Sequence, residues 1–208
     1  MYRRFSKRFL DLVFALAALP FLLVALVALG PIIYLEDRGP ILYCGPRLGK
    51  GGRVFRMYKL RTMKVNAPDI RNDDGSTFNS EDDPRLTRVG RFLRKTSIDE
   101  LPQVLNVLRG EMSFVGPRPD LPEHLSQYDE SERRKLEVRP GLTGLSQAYF
   151  RNSIPWKQRI QNDICYIDNL SVWLDARIFL KTLTSVLGCR RIYIAEHRPN
   201  VNQSRSSR

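Results

Sequence analysis

Residues 12–35 read LVFALAALPFLLVALVALGPIIYL, 24 positions without a formal charge. As a helix the run is about 36 Å long at 1.5 Å per residue, enough to cross a bilayer core of about 30 Å. Three fates compete. A cleaved signal peptide fits the basic start (Arg3, Arg4, Lys7, Arg8), but the apolar part is long and no convincing small-x-small cleavage site follows it. A plain spanning helix is the commonest fate. The third is a re-entrant hairpin that dips in and returns on the same side. Pro20 splits the run into apolar pieces of 8 and 9 residues, 12–19 and 21–29, each too short to span alone. It frees the carbonyl of Leu16 and bends the helix. That carbonyl can be satisfied locally, so a bend does not exclude spanning. Arg38, Arg47, Lys50 and Arg53 follow the run as the first four cations precede it. Basic residues stay on the cytoplasmic side, and here both flanks carry the same charge. The residues alone leave spanning and re-entrant evenly matched.

With 208 residues the chain is one domain, or one domain plus an appendage, large enough to bury a core. Its net charge of +12 points to anionic partners: nucleic acid, acidic lipid or phosphorylated substrates. Cys44, Cys165 and Cys189 form neither a zinc spacing nor a disulfide framework, so a reducing compartment is expected. With only His124 and His197 present, zinc chemistry and a Ser-His-Asp triad are poorly supplied. Any acid, base, nucleophile or metal ligand is expected to be a carboxylate.

Past the apolar run, residues 41–63 read as two strands around Gly49-Lys50-Gly51-Gly52, a hairpin signal. Arg53, Arg56, Lys59 and Arg61 crowd its second strand, as a solvated basic face or a surface for headgroups and phosphates. Residues 66–83 are polar and read as loop. Arg85, Arg88, Arg91 and Arg94 recur every third residue, a stripe on one side of a helix, with no acid between Asp83 and Asp99. Arginine forks suit phosphate oxygens. Residues 101–108 read as a buried helix, Gly116-Pro117-Arg118-Pro119 as a rigid turn, and 122–138 as a polar helix. Residues 139–147, RPGLTGLSQ, read as a loop whose two glycines let backbone approach a ligand. Residues 156–167 and 173–187 read as amphipathic helices, mostly core, with a minority of apolar positions suited to a membrane interface. The end of the chain reads as a disordered basic tail. Aromatics interleaved with cations in an RNA-binding pattern are missing, so no nucleic acid is expected.

Asp99-Glu100 stands out in this basic chain, within KTSIDELPQ (95–103). Ser97 and Glu100 have the spacing of a capping box. Pro102 opposes that reading, because it would fall in the second turn, where it removes a ladder bond.

The strings KR-x-x-D at 7–11, YKLRTM at 58–63, TSIDELPQ-x-x-NVLRG-x-MSFVGPRP at 96–119, RPGLTGLSQ and Leu174-Asp175 resemble the bacterial sugar transferases, monotopic phosphoglycosyl transferases of polyprenyl phosphate, in their minimal catalytic form. The resemblance implies an α+β, mostly helical fold with three parts. Residues 1–36 would be a re-entrant, proline-broken membrane helix. Residues 37–194 would be a small cytoplasmic catalytic domain with a β-hairpin and amphipathic interfacial helices, and 195–208 the tail. It implies Asp99 as nucleophile toward the β-phosphate of a UDP-sugar, UMP as leaving group, and polyprenyl phosphate as acceptor. Mg²⁺ would be held at Asp99 and Glu100, Glu100 assisting by metal binding or acid/base work. Lys59, Arg94 and Arg118 would bind phosphates, and Arg139, Gly141 and Gln147 would lie near the nucleotide sugar. Pro20 would be the helix break, although Leu19 precedes it where a serine is familiar. The unusual proline of Arg151-Asn152-Ser153-Ile154-Pro155-Trp156 leaves the sugar open. Anionic lipids are implied partners and a homodimer is left open. The expected location is the bacterial inner membrane, with both termini cytoplasmic. The competing class is a membrane-anchored basic adaptor for acidic lipid or nucleic acid, in which Asp99-Glu100 would be a cap.

Overall fold

The computed structural model describes residues 2–70, 78, 80, 83–150 and 154–187. The expected tail at 195–208 and Arg151-Asn152-Ser153 lie outside them, as does much of the polar stretch 71–82. Helix α1, Lys7–Asp37, follows a π-helical turn at Tyr2–Ser6. The hairpin forms as expected: β1 (Leu42–Leu48) pairs antiparallel with β2 (Val54–Leu60) in register Leu42↔Leu60 to Leu48↔Val54. Gly51 and Gly52 turn it with φ of 68° and 76°, a region glycine enters without a Cβ penalty. Then come α2 (Arg88–Thr96), a 3₁₀ turn at Ile98–Glu100, α3 (Gln103–Arg109), β3 (Ser113–Val115), β4 (Gly141–Thr143), α4 (Leu145–Tyr149), α5 (Trp156–Asp168) and α6 (Val172–Leu187). The result is mostly helical with two small sheets.

Helix α1 is long and apolar enough to cross a membrane, yet the rest of the chain holds it along its length. At its start Lys7 pairs with Asp175 at 2.5 Å, and Arg8 donates to the carbonyls of Val107 and Leu108. Asp11, buried, accepts from Ser113 Oγ and the Phe114 amide. Further along its first half Ala15 packs with Phe55, Met57, Val104, Val107 and Met112. Near its end Ile33 packs with Leu60 and Leu93. There Glu36 accepts the Arg88 amide at 2.6 Å, and Asp37 pairs with Arg61 at 2.5 Å. Hydrophobic clusters thus join residues on both sides of position 36. The outer face, including Phe9, Leu16, Phe21, Leu23, Val24 and Val27, is exposed.

Several expectations change. Helix α1 runs through both Pro20 and Pro31 without dividing into two helices. A proline removes one ladder bond, and the helix is packed on both sides of Pro20, through Ala15, Ala18 and Leu19 before it and buried Leu22 after it. Arg85 is not on the arginine stripe. It precedes α2 and is buried against Asp83 at 2.7 Å, with a further bond to the Phe78 carbonyl. The polar helix at 122–138 is instead two 3₁₀ segments, Pro122–Gln127 and Glu132–Glu137. Its charges turn inward there: Lys135 is buried between Asp120 (2.5 Å) and Asp163 (3.0 Å). The stretch RPGLTGLSQ is β4 and α4, with β4 parallel to β3.

Candidate active site

The carboxylate pair lies where two helices meet. Thr87 caps α2 by accepting from the Gly90 amide at 2.9 Å, and α2 runs to Ser97, which leaves it at φ 59°. Ser97 therefore closes the helix before the pair rather than capping one after it, and its side chain caps nothing on the 3₁₀ turn. The capping-box reading fails on this geometry. Pro102 stands at the N-cap of α3, where a missing N–H costs no ladder bond. Asp99 and Glu100 are thus held on one tight turn between α2 and α3.

Asp99 is buried, 6 % exposed. Burial raises its pKa, Glu100 raises it further, and Lys59, Arg94 and Arg118 pull it down. For Glu100 burial also acts upward, but Lys59 and Arg118 outweigh it and its pKa is lowered. Lys59, near the end of β2, binds Glu100 Oε1 at 2.7 Å. Arg94, in the last turn of α2, donates to Thr62 Oγ1 at 3.1 Å. The structure therefore brings five expected residues together: Lys59, Arg94, Asp99, Glu100 and Arg118. The pair is split into a carboxylate that is reluctant to ionise and one held ionised.

The remaining expected substrate-binding residues lie in or beside the other strand pair: Arg139 before β4, Gly141 on it and Gln147 in α4. Arg139 Nε donates to the Gly110 carbonyl at 2.7 Å, at the C-terminus of α3. Gly141 pairs with Ser113. A Cβ on Gly141 would stand 2.1 Å from the Gly116 amide, and one on Gly144 2.3 Å from the Gly116 carbonyl. These two glycines admit the neighbouring backbone of Gly116. Gln147 reaches the Leu142 carbonyl at 3.4 Å. This strand pair braces the segment that carries Arg118: the Gly116 amide donates to the Thr143 carbonyl, and the Gly141 amide donates to the Pro117 carbonyl.

Gln103 and the buried charges behind Arg118 were not singled out by sequence. Gln103, 2 % exposed, hydrogen-bonds Glu100 and lowers its pKa. Its signal was present, since it ends the string TSIDELPQ. Lys135, Asp120 and Asp163 gave no signal, because they are far apart in the sequence and share no motif. Asp163 is pushed up to about 6 by burial, with Asp120 raising it further against the pull of Lys135. Beside Arg118 a shallow cleft is lined by Leu48, Gly49, Pro117, Lys135 and Pro140.

The donor set suits a hard cation. Mg²⁺ takes oxygen ligands and is commonly held by one or two carboxylates plus substrate phosphates. Two adjacent carboxylates meet that need. Among the described residues no cluster of three or more His, Cys, Asp or Glu could hold a metal by itself.

The family model described as Bacterial sugar transferase matches residues 2–189. Similar proteins include the galactosyl transferase CpsE of Streptococcus agalactiae, 43 % identical over 88 % of this chain and 42 % of that protein. An uncharacterized sugar transferase, EpsL of Bacillus subtilis, is 40 % identical over 92 % of each chain. The UDP-glucose:undecaprenyl-phosphate glucose-1-phosphate transferase of Xanthomonas campestris is 39 % identical over 90 % of this chain and 40 % of its own length. The chain spans about two fifths of the length of several such relatives.

Proposed function

Because the chain belongs to the bacterial sugar transferase family, we propose that it moves a sugar 1-phosphate from a UDP-sugar to polyprenyl phosphate at a membrane, releasing UMP. The observation that carries this reading is the buried Asp99, set beside Glu100 under three cations. A carboxylate there attacks the β-phosphorus. A bond forms from the Asp99 oxygen to phosphorus, the anhydride P–O bond breaks, and UMP leaves with the electron pair. A phosphate oxygen of polyprenyl phosphate then attacks the same phosphorus and frees Asp99. The relative from Xanthomonas is named for a reaction of this kind.

Lys59, Arg94 and Arg118 act in two ways. They hold enough of Asp99 ionised to attack, against burial. They also offset the charge of an anionic donor approaching an anionic nucleophile. Asp99 and Glu100 would hold Mg²⁺ together with donor phosphate oxygens, and the ion would neutralise pyrophosphate charge. Glu100, held ionised, fits that role better than proton donation.

The attachment of α1 at both ends supports a re-entrant arrangement. The helix has 31 residues, about 46 Å at 1.5 Å per residue. A helix crossing the bilayer would carry one end to the far side. Yet Lys7 and Arg8 at one end, and Glu36 and Asp37 at the other, bind the domain that follows. Helix α6 adjoins α1 through Phe179 stacked on Phe14 at 5.8 Å. Trp173, Leu180 and Leu183 on α6 are exposed, which suits an interfacial helix. The active site would then open at the cytoplasmic face, where nucleotide sugars and lipid headgroups meet.

The test is UMP release by detergent-solubilised protein given undecaprenyl phosphate, Mg²⁺ and a panel of UDP-sugars. Release with one donor, reduced by at least about a thousandfold in Asp99→Asn, and a phosphosugar captured on Asp99 are the expected results. Turnover undiminished in Asp99→Asn would overturn the nucleophile assignment.

A further inference from the structure

We propose that Asn106 is a positioning residue for the site: its carboxamide completes the free edge of β2 and thereby sets Lys59 against Glu100. The inference rests on the assignment of Lys59 and Glu100 to the reacting site. Among the described residues, strand β2 has one strand neighbour, β1. On its other edge the Tyr58 amide donates to Asn106 Oδ1 at 3.0 Å, and Asn106 Nδ2 donates to the Arg56 carbonyl at 2.7 Å. These are the two main-chain groups flanking Met57 that a third strand would engage. One side-chain amide replaces that strand.

The placement matters because of what flanks it. Side chains alternate along a strand, so Phe55, Met57 and Lys59 share a face. Phe55 and Met57 are buried against Ala15, Val104 and Val107, and Lys59 emerges one step further on, at Glu100. On α3, Asn106 lies one turn after Gln103, on the same face. Gln103 binds Glu100 while Asn106 binds β2. A single helical turn thus grips both members of the Lys59–Glu100 pair. Asn106 is fully buried, and Nδ2 also donates to Glu111 at 2.7 Å. With two acceptors facing Nδ2 and one donor facing Oδ1, neither a carboxylate nor an apolar side chain satisfies the position.

The experiment is a double-substitution cycle on UMP release, using UDP-glucose, UDP-galactose and UDP-N-acetylgalactosamine with undecaprenyl phosphate. Asn106→Ala is expected to lower kcat by about tenfold to hundredfold, the scale of a small misplacement at a reacting site. In a Lys59→Ala background the same change is expected to cost less than about twofold, since the group it positions is gone. Glu111→Ala removes a bond of the same amide but leaves both bonds to β2, and is expected to keep the parent's kcat even if Tm falls. Asn106→Asp preserves size and the Tyr58 bond while setting a carboxylate against the Arg56 carbonyl; it carries the cycle if the alanine variant does not fold. An equal loss from Asn106→Ala with and without Lys59, or losses in all variants that follow Tm, would overturn the inference. Full activity of Lys59→Ala, or a parent silent with every donor, would instead overturn the reading of the site, and this inference with it.

Discussion

Asp99 is set between opposing influences, of which burial is the largest. Burial and the neighbouring Glu100 favour its protonated form, while Lys59, Arg94 and Arg118 favour the carboxylate. Lys59 is the strongest of the three cations, so Lys59→Ala is expected to raise the Asp99 pKa. Only the ionised form attacks, so the loss of rate grows as pH falls and the acid limb of the profile moves to higher pH. Single-turnover UMP release across the acid-to-neutral range checks this; an unmoved limb would show that Lys59 does not govern Asp99. Much of this was legible in the chain. Asp99 and Glu100 stood out because acids are scarce around them. The role of Ser97 was not, because its S-x-x-E spacing suits a cap, whereas its left-handed φ makes it the end of the helix before. Local spacing cannot report which of two adjacent helices a residue serves.

At the scale of elements, helix α2 is held at its start from outside. Glu36, in the last turn of α1, accepts the amides of Arg88 and Val89, a carboxylate at a helix N-terminus where the dipole favours negative charge. Since α2 carries Arg94 and leads into Asp99, the same contact ties the apolar helix to the site. Glu36→Ala is expected to cost about 1 kcal/mol, as loss of an N-cap does, and to lower Tm by about 2–4 °C. A melt coincident with the parent's would show that water replaces the carboxylate fully. The hairpin was legible because glycines between two apolar runs specify it locally. The stripe of four arginines was legible only in part. Arg88, Arg91 and Arg94 lie on α2, but Arg85 falls outside it and is drawn inside by Asp83. A three-residue repeat records spacing and not where a helix begins.

For the whole molecule, the decisive feature is that both ends of α1 bind one body. Reporter tags at residues 1 and 208 are expected on the same, cytoplasmic, side; opposite sides would restore a spanning helix. Pro20→Leu returns one ladder bond, yet both halves are already held by tertiary contacts, so the same-sided result is expected to persist. By itself the sequence determined what local chemistry determines. It set the apolar run, the hairpin, the isolated Asp99-Glu100 pair and, through strings such as TSIDELPQ, the family. The tertiary structure alone decided which distant groups meet. Gly141 and Gly144 admit the backbone of Gly116, Arg139 turns to Gly110, and Lys135 is enclosed by Asp120 and Asp163. Asn106 and Gln103 grip the two halves of the site from one face of α3. The reason is physical. Turns, strands and helix ends are fixed by neighbours a few residues away, whereas the partners of a buried charge or a closely packed glycine come from segments tens of residues distant.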